Sequence, residues 1–110
     1  TQASSSEIAE ATIDCFLRHV PAIVPGIVFL SGGQSEVEAT ENLDAIGRAG
    51  GPWPLSFSYG RALQASALEA WRGDSGNVDA AQSVFLHRAR MNALAAAGEW
   101  NADLEQAVAA

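Results

Sequence analysis

Two short stretches hold the residues best suited to chemistry. Ser31-Gly32-Gly33 and Ser58-Tyr59-Gly60-Arg61 each combine a hydroxyl with glycine, and the second adds an arginine. Glycine lets an anion approach backbone N–H groups with no Cβ in the way. A serine hydroxyl donates a hydrogen bond, and an arginine fork grips two phosphate oxygens at once. The two serines lie 27 residues apart, about one strand–helix unit. Either stretch alone reads as a plain turn, or as a helix start with a solvated arginine. Only as a pair, emerging at one edge of a parallel sheet in front of two helix N-termini, does a phosphate site stand level with that reading.

Other candidates point away from chemistry. His19 and His87 fall in helical patterns with no second ligand at i+3 or i+4, so they read as surface or packing residues and no metal site or other cofactor is expected. Glu36, Glu38, Glu41 and Asp44 follow the first glycine stretch and read as a solvated helix face that complements the helix dipole. Tyr59 alternates with Ser58 and reads as structural. Cys15, the single cysteine, reads as a small core residue. Trp53, Trp71 and Trp100 read as packing residues, with Trp53, beside a Gly-Pro turn, also placed to pack against a neighbouring subunit. All six basic residues are arginines, so no lysine ε-amino group is available for covalent catalysis within the chain.

Positioning the two stretches requires strands before them and helices after them. A helix is predicted over residues 4–20, opened by an S-x-x-E capping box at Ser4 and Glu7 and closed by Pro21. Residues 26–30 (GIVFL) read as a strand covered on both faces. Ser35 and Glu38 form a second capping box, and the helix that follows carries Val37, Leu43 and Ile46 before stopping near Arg48. Residues 55–59 (LSFSY) alternate as a second strand. A helix over 62–72, the loop GDSGN and a final helix over 78–97 follow, with Asn77 as N-cap and Gly98 as stop. Residues 99–110 read as a loosely held tail, separate from a main unit of 1–98. Strands joined by helical crossovers belong to α/β folds with parallel strands. Two strands alone leave unpaired edges, so the pattern implies part of a larger sheet or barrel.

Composition bounds the partners. The chain has 110 residues, 48% of them apolar and 17% charged, which is ordinary for one globular unit. A formal charge of −7 argues against nucleic acid and against anionic membrane surfaces. No apolar run reaches the ~20 residues of a membrane span, and the first residues do not resemble a signal peptide.

The segments GIVFLSGGQSEVEATENLDAI and PLSFSYGRALQASALEAW closely resemble the C-terminal part of class I fructose-1,6-bisphosphate aldolases, the Schiff-base type. The resemblance runs from EIAEAT to AGEW. It implies the C-terminal portion of a (β/α)8 TIM barrel: the helix after strand six, βα units seven and eight, and the C-terminal helix. By motif match, Ser31, Gly32 and Gly33 form one substrate-phosphate loop and Ser58, Gly60 and Arg61 the other, with Arg61 a movable cation. The resemblance also implies a cytoplasmic homotetramer that acts on fructose 1,6-bisphosphate and triose phosphates without a cofactor. Its Schiff-base lysine and other catalytic groups would lie on upstream strands, so the 110-residue chain alone is expected to be inactive. The tail departs from animal members in lacking a terminal tyrosine. A non-catalytic sugar-phosphate-binding or assembly module derived from the barrel is the alternative.

Overall fold

The computed structural model describes residues 2–109. Helix α1 (Ser5–His19) starts where the first capping box places it: Ser4 Oγ accepts from Glu7 N–H, and the Glu7 carboxylate accepts from Ser4 N–H. Strand β1 (Ile27–Phe29) and strand β2 (Leu55–Phe57) are shorter than the sequence suggests and pair in parallel, Ile27 with Leu55 and Phe29 with Phe57. Helix α2 (Glu36–Ala49) follows β1, and helix α3 (Arg61–Trp71) follows β2. A 3₁₀ turn over Ser75–Asn77 leads into helix α4 (Val78–Ala96), and a second 3₁₀ segment covers Ala102–Ala109.

All the helices gather on one side of the two-stranded sheet. Phe29 packs against both buried clusters and Leu55 against the α1–α2 one, which holds Ala9, Ile13 and Ile46. The larger cluster joins α2, α3 and α4 through Ala39, Leu43, Tyr59, Ala62, Met91, Ala95 and Trp100. The other sheet face is bare: Val28 is 61% and Leu30 73% exposed. The expected cover on both faces is therefore found on one only, because alternate side chains point opposite ways and every helix in the chain lies on the same side. A Cα radius of gyration of 15.2 Å, against about 13 Å for a compact chain of this length, fits an arc of wall. The family implication of a C-terminal barrel portion agrees with this one-sided βαβα arrangement.

Close backbone contact fixes α2 on α4. A Cβ on Gly47 would lie 2.7 Å from the Ala95 carbonyl oxygen and 2.9 Å from Gly98 N. Gly98 ends α4 in the left-handed region at φ 71°, with its own N–H bonded to Ala95 O and that of Glu99 to Leu94 O.

Three sequence expectations are corrected. Cys15 is exposed rather than core, since it sits two residues, about 200°, around the helix from buried Ile13. Trp71, read as a packing residue, is 42% exposed, whereas Trp53 packs as expected, buried edge-on to Phe16 and donating to Pro21 O at 2.9 Å. The start of the tail is anchored rather than loose: Trp100 is 6% exposed, and Glu105 accepts from Arg88 at 2.6 and 2.8 Å and from Trp100 Nε1 at 2.9 Å. Arg88 in turn reaches Thr40 at 2.8 Å, and Thr40 donates to Asn92 at 2.7 Å. This polar chain ties residues 100–105 through α4 to α2.

Candidate phosphate site

The two glycine stretches do emerge together. Ser58 N–H donates to Phe29 O at 2.8 Å, carrying the parallel ladder to the C-terminal edge, where both loops begin. Ser31, Gly32, Gly33, Ser58, Gly60 and Arg61 all line one cavity of about 420 Å³. Gln34, Ser35 and Glu36 complete its α2 side.

The first loop turns sharply. Gly32 (φ 54°) and Gly33 (φ 87°) occupy the left-handed region, which costs a residue with Cβ roughly 1–2 kcal/mol. Gln34 N–H closes the turn onto Ser31 O at 3.0 Å, and the Gln34 side-chain amide donates to the same oxygen at 2.6 Å. Ser31 itself is 9% exposed. Helix α2 then opens with a complete capping box, Ser35 with Glu38.

Across the cavity the second loop is open. Gly60 precedes α3 without any side-chain cap, so the free N–H groups of the first helical turn are unclaimed by a side chain. Gly60 O accepts from Leu63 and Gln64 N–H, which aligns the helix behind it. Arg61 is exposed and, among the described residues, enters no ion pair. An uncapped helix start, glycine backbone and a free guanidinium suit a phosphate dianion.

The acidic residues after the first loop do not form one solvated face. Glu38 and Glu41 are exposed, but Asp44 is 6% exposed and accepts from Arg48 at 2.7 Å and from Trp100 N–H at 3.0 Å. Glu36 lines the cavity and accepts from Ser66 N–H at 3.3 Å and from the Ser66 hydroxyl. Glu36, Thr40 and Asp44 follow one another at i+4, a signal that would have placed them on one inward face of α2. Tyr59 turns away from the cavity into the core, donates to Ala39 O at 3.1 Å, and has its pKa pushed up to about 12 by burial. It is no acid or base at neutral pH. His87 instead faces Glu105 at 3.4 Å, and neither histidine lines the cavity. Among the described residues, no cluster of His, Cys, Asp and Glu can hold a metal ion, and no helix is long and apolar enough to cross a membrane.

A parallel βα pair with two anion-suited loops at one edge defines the class: an α/β barrel-type wall with a phosphate-type edge. Comparison with known proteins makes the class specific. The family model described as class-I fructose-bisphosphate aldolase matches residues 1–110, so the chain belongs to that family. It is 53% identical to fructose-bisphosphate aldolase 1 of Caenorhabditis elegans over 97% of its length, and 59% identical to aldolase C of Rattus norvegicus over 88%. A probable class 1 aldolase of Xanthomonas axonopodis pv. citri is 54% identical over 90% of the chain. These matches cover 27–30% of the relatives' own lengths. A Plasmodium falciparum aldolase, solved in complex with TRAP and a small-molecule inhibitor, superposes with a TM-score of 0.88 at 47% identity, over 92% of this chain and 29% of that one.

Proposed function

We propose that this chain is the phosphate-holding C-terminal part of a class I fructose-1,6-bisphosphate aldolase, which reversibly cleaves fructose 1,6-bisphosphate to dihydroxyacetone phosphate and glyceraldehyde 3-phosphate in glycolysis and gluconeogenesis. The observation that carries the reading is the convergence of six residues from two parallel loops on one cavity. Breaking the ketose C–C bond leaves an electron pair on carbon, and a protonated Schiff base on lysine accepts it. That lysine belongs to the rest of the barrel, because this chain has none. The share of these residues is positioning. Arg61 supplies the positive charge and bidentate fork, the α3 N-terminus supplies unclaimed N–H groups, and Ser31, Gly32, Gly33, Ser58 and Gly60 shape the cradle. Holding the phosphate fixes the reacting carbons against the lysine, an effect that lowers barriers by roughly 7 kcal/mol or more in the most favourable cases. The complete enzyme is a soluble, cytoplasmic homotetramer in this reading, working without metal or cofactor.

The test is a cleavage assay on the complete protein and on the 110-residue chain, with inorganic phosphate as competitor. The complete protein is expected to cleave fructose 1,6-bisphosphate with competitive inhibition by phosphate, and the isolated chain to show no turnover. Sugar-phosphate binding by a complete protein that cleaves nothing would favour the non-catalytic module instead.

A further inference from the structure

We propose that Gln34 and Asn42 are positioning residues for the phosphate cradle, acting through a directed hydrogen-bond chain that runs from α1 to the Ser31 carbonyl. The inference rests on the phosphate reading given above. Ser5 Oγ donates to Asn42 Oδ1 at 2.8 Å; Asn42 Nδ2 donates to Gln34 Oε1 at 2.5 Å; Gln34 Nε2 donates to Ser31 O at 2.6 Å. Each link orients the next. The Ser31 carbonyl can only accept, so it draws the Gln34 N–H end; the Gln34 oxygen then takes Asn42 Nδ2, which leaves Asn42 Oδ1 for the Ser5 hydroxyl. Turning either amide over would bring donor against donor or acceptor against acceptor.

The consequence falls on one peptide plane. Gln34 occupies the Ser31 carbonyl twice, through its backbone N–H and its side chain. In a trans peptide the C=O and the following N–H point in opposite directions. Holding the Ser31 carbonyl against Gln34 therefore keeps that acceptor engaged and turns Gly32 N–H away from the brace, in a loop that lines the cavity together with Gln34. A carbonyl rotated into that space would repel a phosphate. With glycines at 32 and 33 the backbone has freedom to rotate, so an external brace is needed to keep the carbonyl engaged. The chain also gives α1 a part in binding, although Ser5 lies outside the cavity wall.

The experiment uses the complete protein with Gln34→Ala, Asn42→Asp and Ser5→Ala, measuring KM and kcat for fructose 1,6-bisphosphate, the inhibition constant of inorganic phosphate, and Tm. Asn42→Asp keeps the shape and the Ser5 acceptor but presents a carboxylate to Gln34, which reverses the Gln34 amide. Gln34→Ala and Asn42→Asp are expected to raise KM and the phosphate inhibition constant together by about tenfold, and Ser5→Ala by about twofold. A role in stability alone would lower Tm and leave the phosphate inhibition constant at its original value, and that outcome in Asn42→Asp or Gln34→Ala overturns the proposal. If Gln34→Ala does not fold, Asn42→Asp and Ser5→Ala decide it by the same two constants. Failure of the underlying reading looks different: the unmodified protein would neither cleave the bisphosphate nor bind phosphate.

Discussion

The two loops look alike in sequence and are opposite in construction. After β1 the chain is constrained: Gly32 and Gly33 are in left-handed turns, the Ser31 carbonyl is doubly bonded, and α2 carries a full capping box and a carboxylate clamped by Ser66. After β2 it is open, with Gly60 at φ −92°, no side-chain cap on α3 and an exposed Arg61. Serine, glycine and a helix start recur in both, yet one loop supplies shape and the other supplies charge. A cradle with charge on both sides would bind an anion more strongly; here the constrained loop and the exposed guanidinium line one cavity together.

The largest separation is expected from Arg61→Ala in the complete enzyme. Losing charge-assisted hydrogen bonds worth about 2–3 kcal/mol raises the KM for fructose 1,6-bisphosphate roughly 100-fold, with Tm unchanged, because Arg61 is exposed and pairs with no described residue. Steady-state kinetics with a thermal melt checks both halves. A large loss of Tm would break the division between charge and shape.

The next prediction loosens the rigid side from behind. Burial raises the pKa of Glu105, but hydrogen bonds from Arg88, Trp100 and His87 and the charge of Arg88 outweigh it, leaving the carboxyl below its ordinary value. A depressed folded-state pKa contributes stability that is complete above the unfolded value and disappears as pH falls through the folded one. Glu105→Gln leaves Arg88 buried without its counter-charge and is expected to cost about 2 kcal/mol at neutral pH. The difference from the unmodified protein should shrink below about pH 4. Hydrogen exchange should show α2 amides losing protection ahead of those at the α3 start, since the Arg88–Thr40 link reaches α2. A difference that grows on acidification would reverse the sign and exclude the mechanism.

Glycine geometry gives a smaller test. Gly33→Ala meets no neighbour but must hold φ 87°, at roughly 1 kcal/mol in stability, whereas Gly60→Ala has open space and a negative φ. Urea unfolding should therefore separate the two variants, with equal losses contradicting the contrast between loops.

Much of this was legible in the chain. The S-x-x-E pairs at Ser4 and Ser35 mark helix starts, and period-two and period-3.6 patterns mark the strands and helices, because local hydrogen bonding and one-sided burial leave regular signals. That the six residues share one cavity was legible only from the pair of stretches, one strand–helix unit apart, since either alone reads as a turn. Gln34, Asn42 and Ser66 were not legible, since their partners lie 8, 37 and 30 residues away and polar pairing across elements has no period. Gly47 gave no signal either; only the Ala95 carbonyl against it shows why a side chain there would clash. The length match to relatives, about 30%, explains the bare inner sheet face better than any local pattern does.

The smallest effect sharpens the comparison most. Glu36 places a negative charge in the wall of a cavity suited to an anion, with Ser66 N–H and hydroxyl as its partners. Gln at this position keeps an acceptor for Ser66 and removes the charge. Glu36→Gln is expected to lower the inhibition constant of inorganic phosphate two- to fivefold, about 0.4–1 kcal/mol, with the gain shrinking as salt screens the field. The corresponding loss of Ser66 by Ser66→Ala leaves the carboxylate charged and freer, so it should weaken phosphate binding. Opposite signs from two partners of one contact would show that the first loop limits affinity through charge while its backbone supplies shape. Equal signs would mean that the Glu36–Ser66 contact matters only for joining α2 to α3.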